Sequence, residues 1–319
     1  MVEYIIGNAN ANLLQLEEKM KKAKLFLMFL VFLSLVFSLT ACAKNRQTAP
    51  AEDDNSSLKI YTTFYPLYDF TKKIAGDFAE VESLIPAGVD PHDFEPSLKQ
   101  VADIYGADIF IYLGESMEPW AAKIAQNLDK QGIKVIEVGK GLIKNNDPHV
   151  WLDPVLAKTI SERICEGIVS IDREHEKTYK ENLVNLSNKF DELDNAFKVL
   201  AEKAARKDIV VSHAFLGYVA DRYGFNQVAI RGLSTHDEPS LKKMEELKAF
   251  CKANGVKYIF DEQGETLEFS TILANEIGAQ ILALNPLGTL RPEDIQAGKD
   301  YFSVMKENLE LLNIALVQE

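Results

Sequence analysis

The chain has 319 residues, of which 47% are hydrophobic, and this apolar content suffices for one large domain or two ordinary ones. Its 48 acidic residues outnumber its 35 basic residues and give a formal net charge of -13. A nucleic-acid-binding protein needs a basic face, so we exclude a nucleic-acid partner.

The N-terminal region has the pattern of an export signal. Lysines 21, 22 and 24 precede an uncharged apolar run over residues 25–41, which ends in Leu39-Thr40-Ala41-Cys42. A basic segment followed by an apolar one is typical of a secretory signal, and the final four residues resemble a bacterial lipobox. This resemblance implies a lipid on Cys42 and a position on the outer face of the cell membrane. The alternative is a membrane-spanning anchor.

The boundaries of the export signal follow from the same pattern. We expect residues 1–41 to comprise an upstream extension and the signal peptide, and 42–57 to form a polar tether. Met20 begins a more ordinary signal peptide than Met1 does, so we expect translation to start there. The two later cysteines, Cys165 and Cys251, lie in helix-like stretches and are predicted to be buried small apolar residues rather than a disulfide.

Strand-like and helix-like segments alternate after the tether, which predicts α/β lobes with parallel sheets covered by helices. The predicted strands of an N-terminal lobe (58–172) are 58–64, 79–85, 108–114 and 134–138. Those of a C-terminal lobe (206–319) are 208–213, 226–230, 256–262 and 279–284. The two halves share this alternation, but we predict no residue-level repeat between them.

One long amphipathic helix is predicted between the lobes, over residues 173–205. Apolar residues recur there in steps of three and four, from Tyr179 to Leu200, as expected for a helix with one buried face. A coiled-coil seam is the alternative, but the repeat is short. We therefore expect a backbone helix that joins the two lobes and leaves a cleft between them.

Three of the five histidines follow predicted strands: His92, His149 and His213. Each one alone fits a surface or buried structural residue. Together they favour a shared site, because ligands gather beyond the carboxyl ends of parallel strands. Both His92 and His149 follow a proline and have nearby aspartates, namely Asp90 and Asp93, and Asp147 and Asp153. Three neutral imidazoles suit Zn²⁺ better than the oxygen-rich ligand sets that Mn²⁺ prefers.

Several segments, in order, resemble those of the zinc and manganese solute-binding lipoproteins of ABC importers, and most closely the zinc-uptake branch. They are PAGVDPHDFEPS, YLGESMEPW, DPHVWLDPV, SHAFLGYVADRYG, EPS at 238–240, and LANEIGAQILALNPLG. The resemblance implies a monomer with a metal buried between its lobes, delivered to an ABC permease and its ATPase. It also implies that His92, His149 and His213 are the metal ligands.

The fourth metal ligand remains open in the sequence. The family commonly has an acidic residue in the segment that here reads Leu284 to Gly288, and none is present. Water, Glu262 and Asn285 are the alternatives, and we favour water or Glu262 because a neutral amide is a weak zinc ligand. A His-rich loop before His149 is also absent. We expect His236 and His175 to be solvated surface residues.

The predicted function is therefore extracytoplasmic capture of Zn²⁺ and its delivery to an ABC permease, without enzymatic activity. A Mn²⁺-binding importer component is one alternative. A zinc-dependent hydrolase is another, because three histidines and a water also form a catalytic zinc site. The sequence contains no His-Glu-x-x-His motif to support the hydrolase.

Overall fold

The computed structural model contains two parallel four-stranded sheets. It describes residues 20–21, 57–234, 237–263 and 268–317. Both sheets lie in the compact unit that begins at Ser57. The predicted signal peptide, Cys42 and His236 lie outside the described residues. Within the described part of the chain, no helix combines the length and the apolar character needed to cross a membrane.

The first lobe contains the four strands expected from the sequence, all parallel and in the order β2-β1-β3-β4. They are β1 (Leu58–Thr62), β2 (Ala79–Ser83), β3 (Ile109–Tyr112) and β4 (Lys134–Glu137). The intervening helices are α1 (Tyr65–Ala75), α2 (Leu98–Ile104) and α3 (Pro119–Lys130). β3 is buried on both faces, as expected for a central parallel strand.

The second lobe repeats this topology, with parallel strands in the order β6-β5-β7-β8. Its strands are β5 (Asp208–Val211), β6 (Asn226–Ala229), β7 (Tyr258–Glu262) and β8 (Gln280–Leu284). Its helices are α6 (Gly217–Tyr223), α7 (Leu241–Ala253), α8 (Glu268–Ile277) and α9 (Pro292–Gln296). Each strand therefore has a counterpart in the first lobe.

The equivalence of the lobes reaches the residue level at one place, contrary to our expectation. The pentapeptide Glu-Pro-Ser-Leu-Lys occurs at 95–99 and again at 238–242. The first copy spans the start of α2, between β2 and β3, and the second spans the start of α7, between β6 and β7. The two copies thus occupy the same topological position in their lobes.

The long helix predicted between the lobes is present, and a second helix precedes it. They are α4 (Pro154–Ile171), which closes the first lobe, and α5 (Glu176–Lys203). The predicted apolar stripe of α5 is buried, and its core residues are Tyr179, Leu186, Phe190, Leu193, Phe197 and Leu200. The final helix, α10 (Tyr301–Leu316), packs on α5, and its Tyr301 ring also contacts Phe70 of α1 at 4.8 Å between ring centroids.

Both described cysteines are free and buried, as predicted. Cys165 lies on the buried side of α4, and Cys251 lies in the core beneath α7. Burial raises the pKa of each thiol to about 11, so the reactive thiolate is scarce at neutral pH.

Candidate metal centre

The three histidines predicted from the sequence meet between the two lobes. His92 follows β2, His149 follows β4 and His213 follows β5. One ligand atom from each lies within 4.8 Å of the others, the spacing of donors that could share one metal ion. His149 and His213 are buried, with 1% exposure each, and His92 is partly buried.

The His149 ring is held by Asp147. The Oδ1 atom of Asp147 accepts a hydrogen bond from the backbone N–H of His149 at 3.0 Å and lies 2.7 Å from its Nδ1. A carboxylate at that distance fixes the proton on Nδ1, which leaves the lone pair of Nε2 available. The Nε2 atom is buried and has no hydrogen-bond partner among the described residues. This is the arrangement of an imidazole prepared to bind a metal.

A tight turn positions Asp147. Asn145 and Asn146 both have positive φ angles, 54° and 60°, and a β-bridge joins Lys144 to Asp147. Asparagine tolerates this left-handed conformation, which two-residue hairpin turns require. The Tyr218 hydroxyl, from the second lobe, donates to the Asp147 carbonyl at 2.8 Å. This contact was not predictable from local sequence patterns, because 71 residues separate its partners.

The segment after His149 is anchored in both lobes. The Trp151 ring packs on Phe64 with ring centroids 4.9 Å apart, and its Nε1 donates to the Pro286 carbonyl at 2.8 Å. The Tyr301 hydroxyl donates to the Trp151 carbonyl at 2.6 Å. Movement between the lobes would therefore act directly on the segment that carries His149.

Asp153, the other acidic neighbour expected near His149, has a structural role. Its Oδ1 accepts from the backbone N–H groups of Val155 and Leu156 and caps α4. Its Oδ2 lies 2.5 Å from Nε of Arg222, a residue of α6. Asp153 thus ties the start of α4 to the second lobe, and Asp147 alone of the two aspartates orients His149.

His92 lies in a loop that contacts the second lobe. Its backbone N–H donates to Oδ1 of Asp90 at 2.9 Å. Further back in the loop, the Gly88 N–H donates to the Thr289 hydroxyl at 2.8 Å. Pro91 packs so closely on Gly288 that an added Cβ there would lie 2.9 Å from the proline Cγ. The contact needs glycine at 288, and it brings the His92 loop to the cleft.

Glu262 contacts one of the three histidines, whereas the Asn285 side chain is bonded elsewhere. Glu262 ends β7, and its Oε2 lies 3.1 Å from Nδ1 of His213 without the alignment of a hydrogen bond. The Asn285 amide is occupied by other protein groups: Oδ1 accepts from the Leu287 N–H at 2.7 Å, and Nδ2 donates to Oε1 of Gln263 at 3.0 Å. Of the two side chains considered for a fourth ligand, Glu262 is the one that contacts a histidine of the cluster.

The electrostatics of the cluster favour neutral imidazoles. Burial lowers the pKa of His149 to about 4, although the bond with Asp147 acts in the opposite direction. Burial also lowers the pKa of His92, against the attraction of Asp90. A metal ligand must be deprotonated, and at neutral pH both side chains already are.

His175 is partly exposed, with 32% of its side chain accessible, and it contacts two neighbouring side chains. Its ring stacks on Phe78 with centroids 4.1 Å apart, and its Nδ1 lies 2.7 Å from Oδ2 of Asp172. It immediately precedes α5 and takes no part in the cluster of three histidines. The chain thus contains a second histidine–aspartate pair of the same length, away from the candidate metal centre.

Comparison with known proteins identifies the family. Residues 60–315 match the family of ZnuA, the periplasmic component A of a zinc-uptake complex. The chain belongs to this family. The zinc-binding lipoprotein AdcA of Streptococcus pneumoniae is 38% identical over 320 residues, which cover 94% of this chain and 62% of AdcA. The high-affinity zinc uptake system protein ZnuA of Bacillus subtilis is 34% identical over 299 residues, covering 88% of this chain and 94% of that protein.

The solved structures agree with the fold. The crystal structure of the Zn(II)-bound ZnuA-like domain of Streptococcus pneumoniae AdcA has a TM-score of 0.74 and 40% sequence identity, and the match covers 82% of this chain and all of that one. The resemblance to the zinc-uptake branch and the two-lobed α/β fold are thereby confirmed. The chain spans only 62% of the length of AdcA itself. The family consists of uptake-complex components, in agreement with the prediction that the chain is not an enzyme.

Proposed function

We propose that this chain captures Zn²⁺ outside the cytoplasm and delivers it to the permease of an ABC importer. The observation that carries this proposal is the cluster of His92, His149 and His213, whose ligand atoms lie within 4.8 Å of one another. Nitrogen ligands in a buried site suit Zn²⁺, whereas Mn²⁺ prefers sites rich in oxygen. Glu262 is the proposed fourth ligand, which would complete a tetrahedral set.

Both lobes supply ligands in this assignment, and that division suits a carrier that must release its metal. His92 and His149 come from the first lobe, and His213 and Glu262 come from the second. A small relative shift of the lobes would pull the two halves of the coordination shell apart. Release then needs no unfolding of either lobe.

Zinc titration of a His149→Ala variant tests the site. The variant loses one of three imidazoles, so we expect its zinc affinity to fall by at least about 100-fold in competition with a chromophoric chelator. His175→Ala is the matched control, because it removes an imidazole whose Nδ1 also pairs with an aspartate at 2.7 Å. Equal affinities of His149→Ala and the unmodified chain would refute the site.

Glu262→Gln tests the fourth position in the same titration. The amide keeps the shape of the side chain but loses its charge, and an affinity at least about tenfold lower is expected. An unchanged affinity would assign the fourth position to water. Competition between Zn²⁺ and Mn²⁺, read by mass spectrometry of the bound metal, tests the choice of ion, and preferential Mn²⁺ binding would contradict the proposal.

The proposed location is the outer face of the cell membrane, through a lipid on Cys42. The lipobox-like Leu39-Thr40-Ala41-Cys42 after an apolar run supports it. Cys42→Ser removes the thiol to which the lipid would attach, so the variant should leave the membrane fraction. A variant that still sediments with membranes would show that the apolar run itself spans the bilayer.

A further inference from the structure

Two leucines stand out on the surface of the described residues. Leu98 is 91% exposed and Leu241 is 88% exposed, well above the next large apolar side chain, Val184 at 59%. A single exposed leucine is ordinary. These two are different, because they are the equivalent residues of the pentapeptide that occurs once in each lobe.

The helix-capping role of the pentapeptide does not explain its leucine. The serine is the N-cap in both copies: Ser97 accepts from the Gln100 N–H at 3.3 Å, and Ser240 accepts from the Lys243 N–H at 3.2 Å. These bonds satisfy backbone donors at the start of a helix. The leucine that follows is almost fully exposed in both lobes, so helix capping gives no reason for an apolar side chain there.

Charged residues flank each leucine in the same order. Glu95 and Lys99 are exposed on either side of Leu98, and Glu238 and Lys242 are exposed on either side of Leu241. A partner that fits one copy therefore needs an apolar pocket with a basic group on one side and an acidic group on the other. The same pocket would fit the second copy equally well.

The position of the two leucines relates them to the metal. Each lies in the connection that leaves the carboxyl end of an edge strand, β2 in one lobe and β6 in the other. In parallel sheets these ends share one edge, and His92, His149 and His213 follow strands at those edges as well. Leu98 and Leu241 therefore lie on the same side of their lobes as the histidines proposed to bind the metal.

We propose that Leu98 and Leu241, with their flanking charges, form a two-part docking surface for the membrane permease that receives the metal. The occupant is a partner that presents the complementary apolar and charged pocket twice, as two subunits related by a two-fold axis do. Simultaneous contact with both lobes also couples docking to the relative position of the lobes, and so to the metal ligands. This inference rests on the proposed function in zinc delivery.

Substitution of the leucines tests the docking surface separately from zinc binding. Leu98→Ser, Leu241→Ser and the double variant are expressed as full chains in cells of the source bacterium that lack the chromosomal copy, and uptake of radioactive zinc is measured. We expect each single variant to lower uptake about tenfold and the double variant to lower it further, because each loses one buried apolar contact. Zinc affinity of the purified variants should stay within about twofold of the unmodified chain. Val184→Ser, which removes an exposed apolar side chain elsewhere, should leave uptake unchanged.

Photocrosslinking identifies the occupant. A photoreactive phenylalanine analogue at 98 or at 241 should form a product with the integral membrane subunit of an ABC importer, and the same analogue at 184 should not. Uptake at the unmodified rate in the double variant, loss of zinc affinity in that variant, or crosslinking only to a second copy of this chain would each overturn the docking surface. Failure of the unmodified chain to bind zinc or to restore uptake would instead refute the proposed function.

Discussion

Removal of the Asp147 carboxylate should weaken zinc binding without removing any proposed ligand. Oδ1 of Asp147 makes two contacts with His149, one with the backbone N–H at 3.0 Å and one with Nδ1 at 2.7 Å. Together they fix the position of the residue and the tautomer that exposes Nε2. Without them the ring can rotate, and either nitrogen can carry the proton.

The expected size of the effect follows from what each substitution removes. Loss of a group that orients a metal-bound histidine typically costs 10–100-fold in affinity. Asp147→Ala removes both contacts and the negative charge, so we expect a loss of about 100-fold. Asp147→Asn keeps an oxygen that can accept from Nδ1–H but removes the charge, so we expect a loss of about tenfold.

The assay is competition with a chromophoric chelator at pH 7.5, with unfolding measured in parallel on the metal-free chain. Asp172→Ala is the control, because it breaks the equivalent 2.7 Å pair with His175 away from the metal centre. It should leave zinc affinity unchanged, whatever it does to stability. A zinc affinity of Asp147→Ala within threefold of the unmodified chain would refute the orienting role of this carboxylate.

Three further predictions concern the scaffold. Burial raises the pKa of Glu118 to about 7, so its favourable contribution to stability, present below its ordinary pKa of 4.5, is lost as the pH rises through 7. Relative to Glu118→Gln, the unmodified chain should lose up to about 3 kcal/mol of unfolding free energy between pH 4.5 and 7, measured by urea denaturation. Parallel pH profiles of the two proteins would contradict this. Gly167→Ala should lower the free energy of unfolding by about 1–2 kcal/mol despite the helix preference of alanine, because the new Cβ would lie 2.0 Å from Cδ1 of Ile136. This loss should be smaller in the Ile136→Val background, and strict additivity of the two substitutions would refute the steric explanation. Trp151→Phe leaves the buried Pro286 carbonyl without its donor, and thermal unfolding should show a loss of about 1–3 kcal/mol.

Much of the fold was predictable because its determinants are local. Short β-branched and apolar segments bounded by turns indicated all eight strands that the described residues contain, with boundaries within two residues of those observed. The steps of three and four in the apolar residues indicated α5. The convergence of His92, His149 and His213 was also predictable, because parallel strands bring their carboxyl ends to one edge.

The choice between neighbouring polar groups was not predictable, because it depends on contacts between distant residues. Asp147 and Asp153 flank His149 at similar separations in the sequence, yet Arg222 of the second lobe engages Asp153 and Asp147 alone holds the ring. In the same way, the Asn285 side chain is occupied by Gln263 and the Leu287 N–H.

The α/β alternation, the long helix and the grouping of three histidines at strand ends thus follow from the amino-acid sequence, because periodicity and strand ends are encoded in adjacent residues. Which groups hold those histidines depends on the packing of the two lobes, since hydrogen bonds across the cleft join residues up to 201 positions apart. The structure also shows what the two copies of the pentapeptide share. The repeated residues are visible in the sequence, but the exposure of Leu98 and Leu241 follows only from how each lobe packs around them.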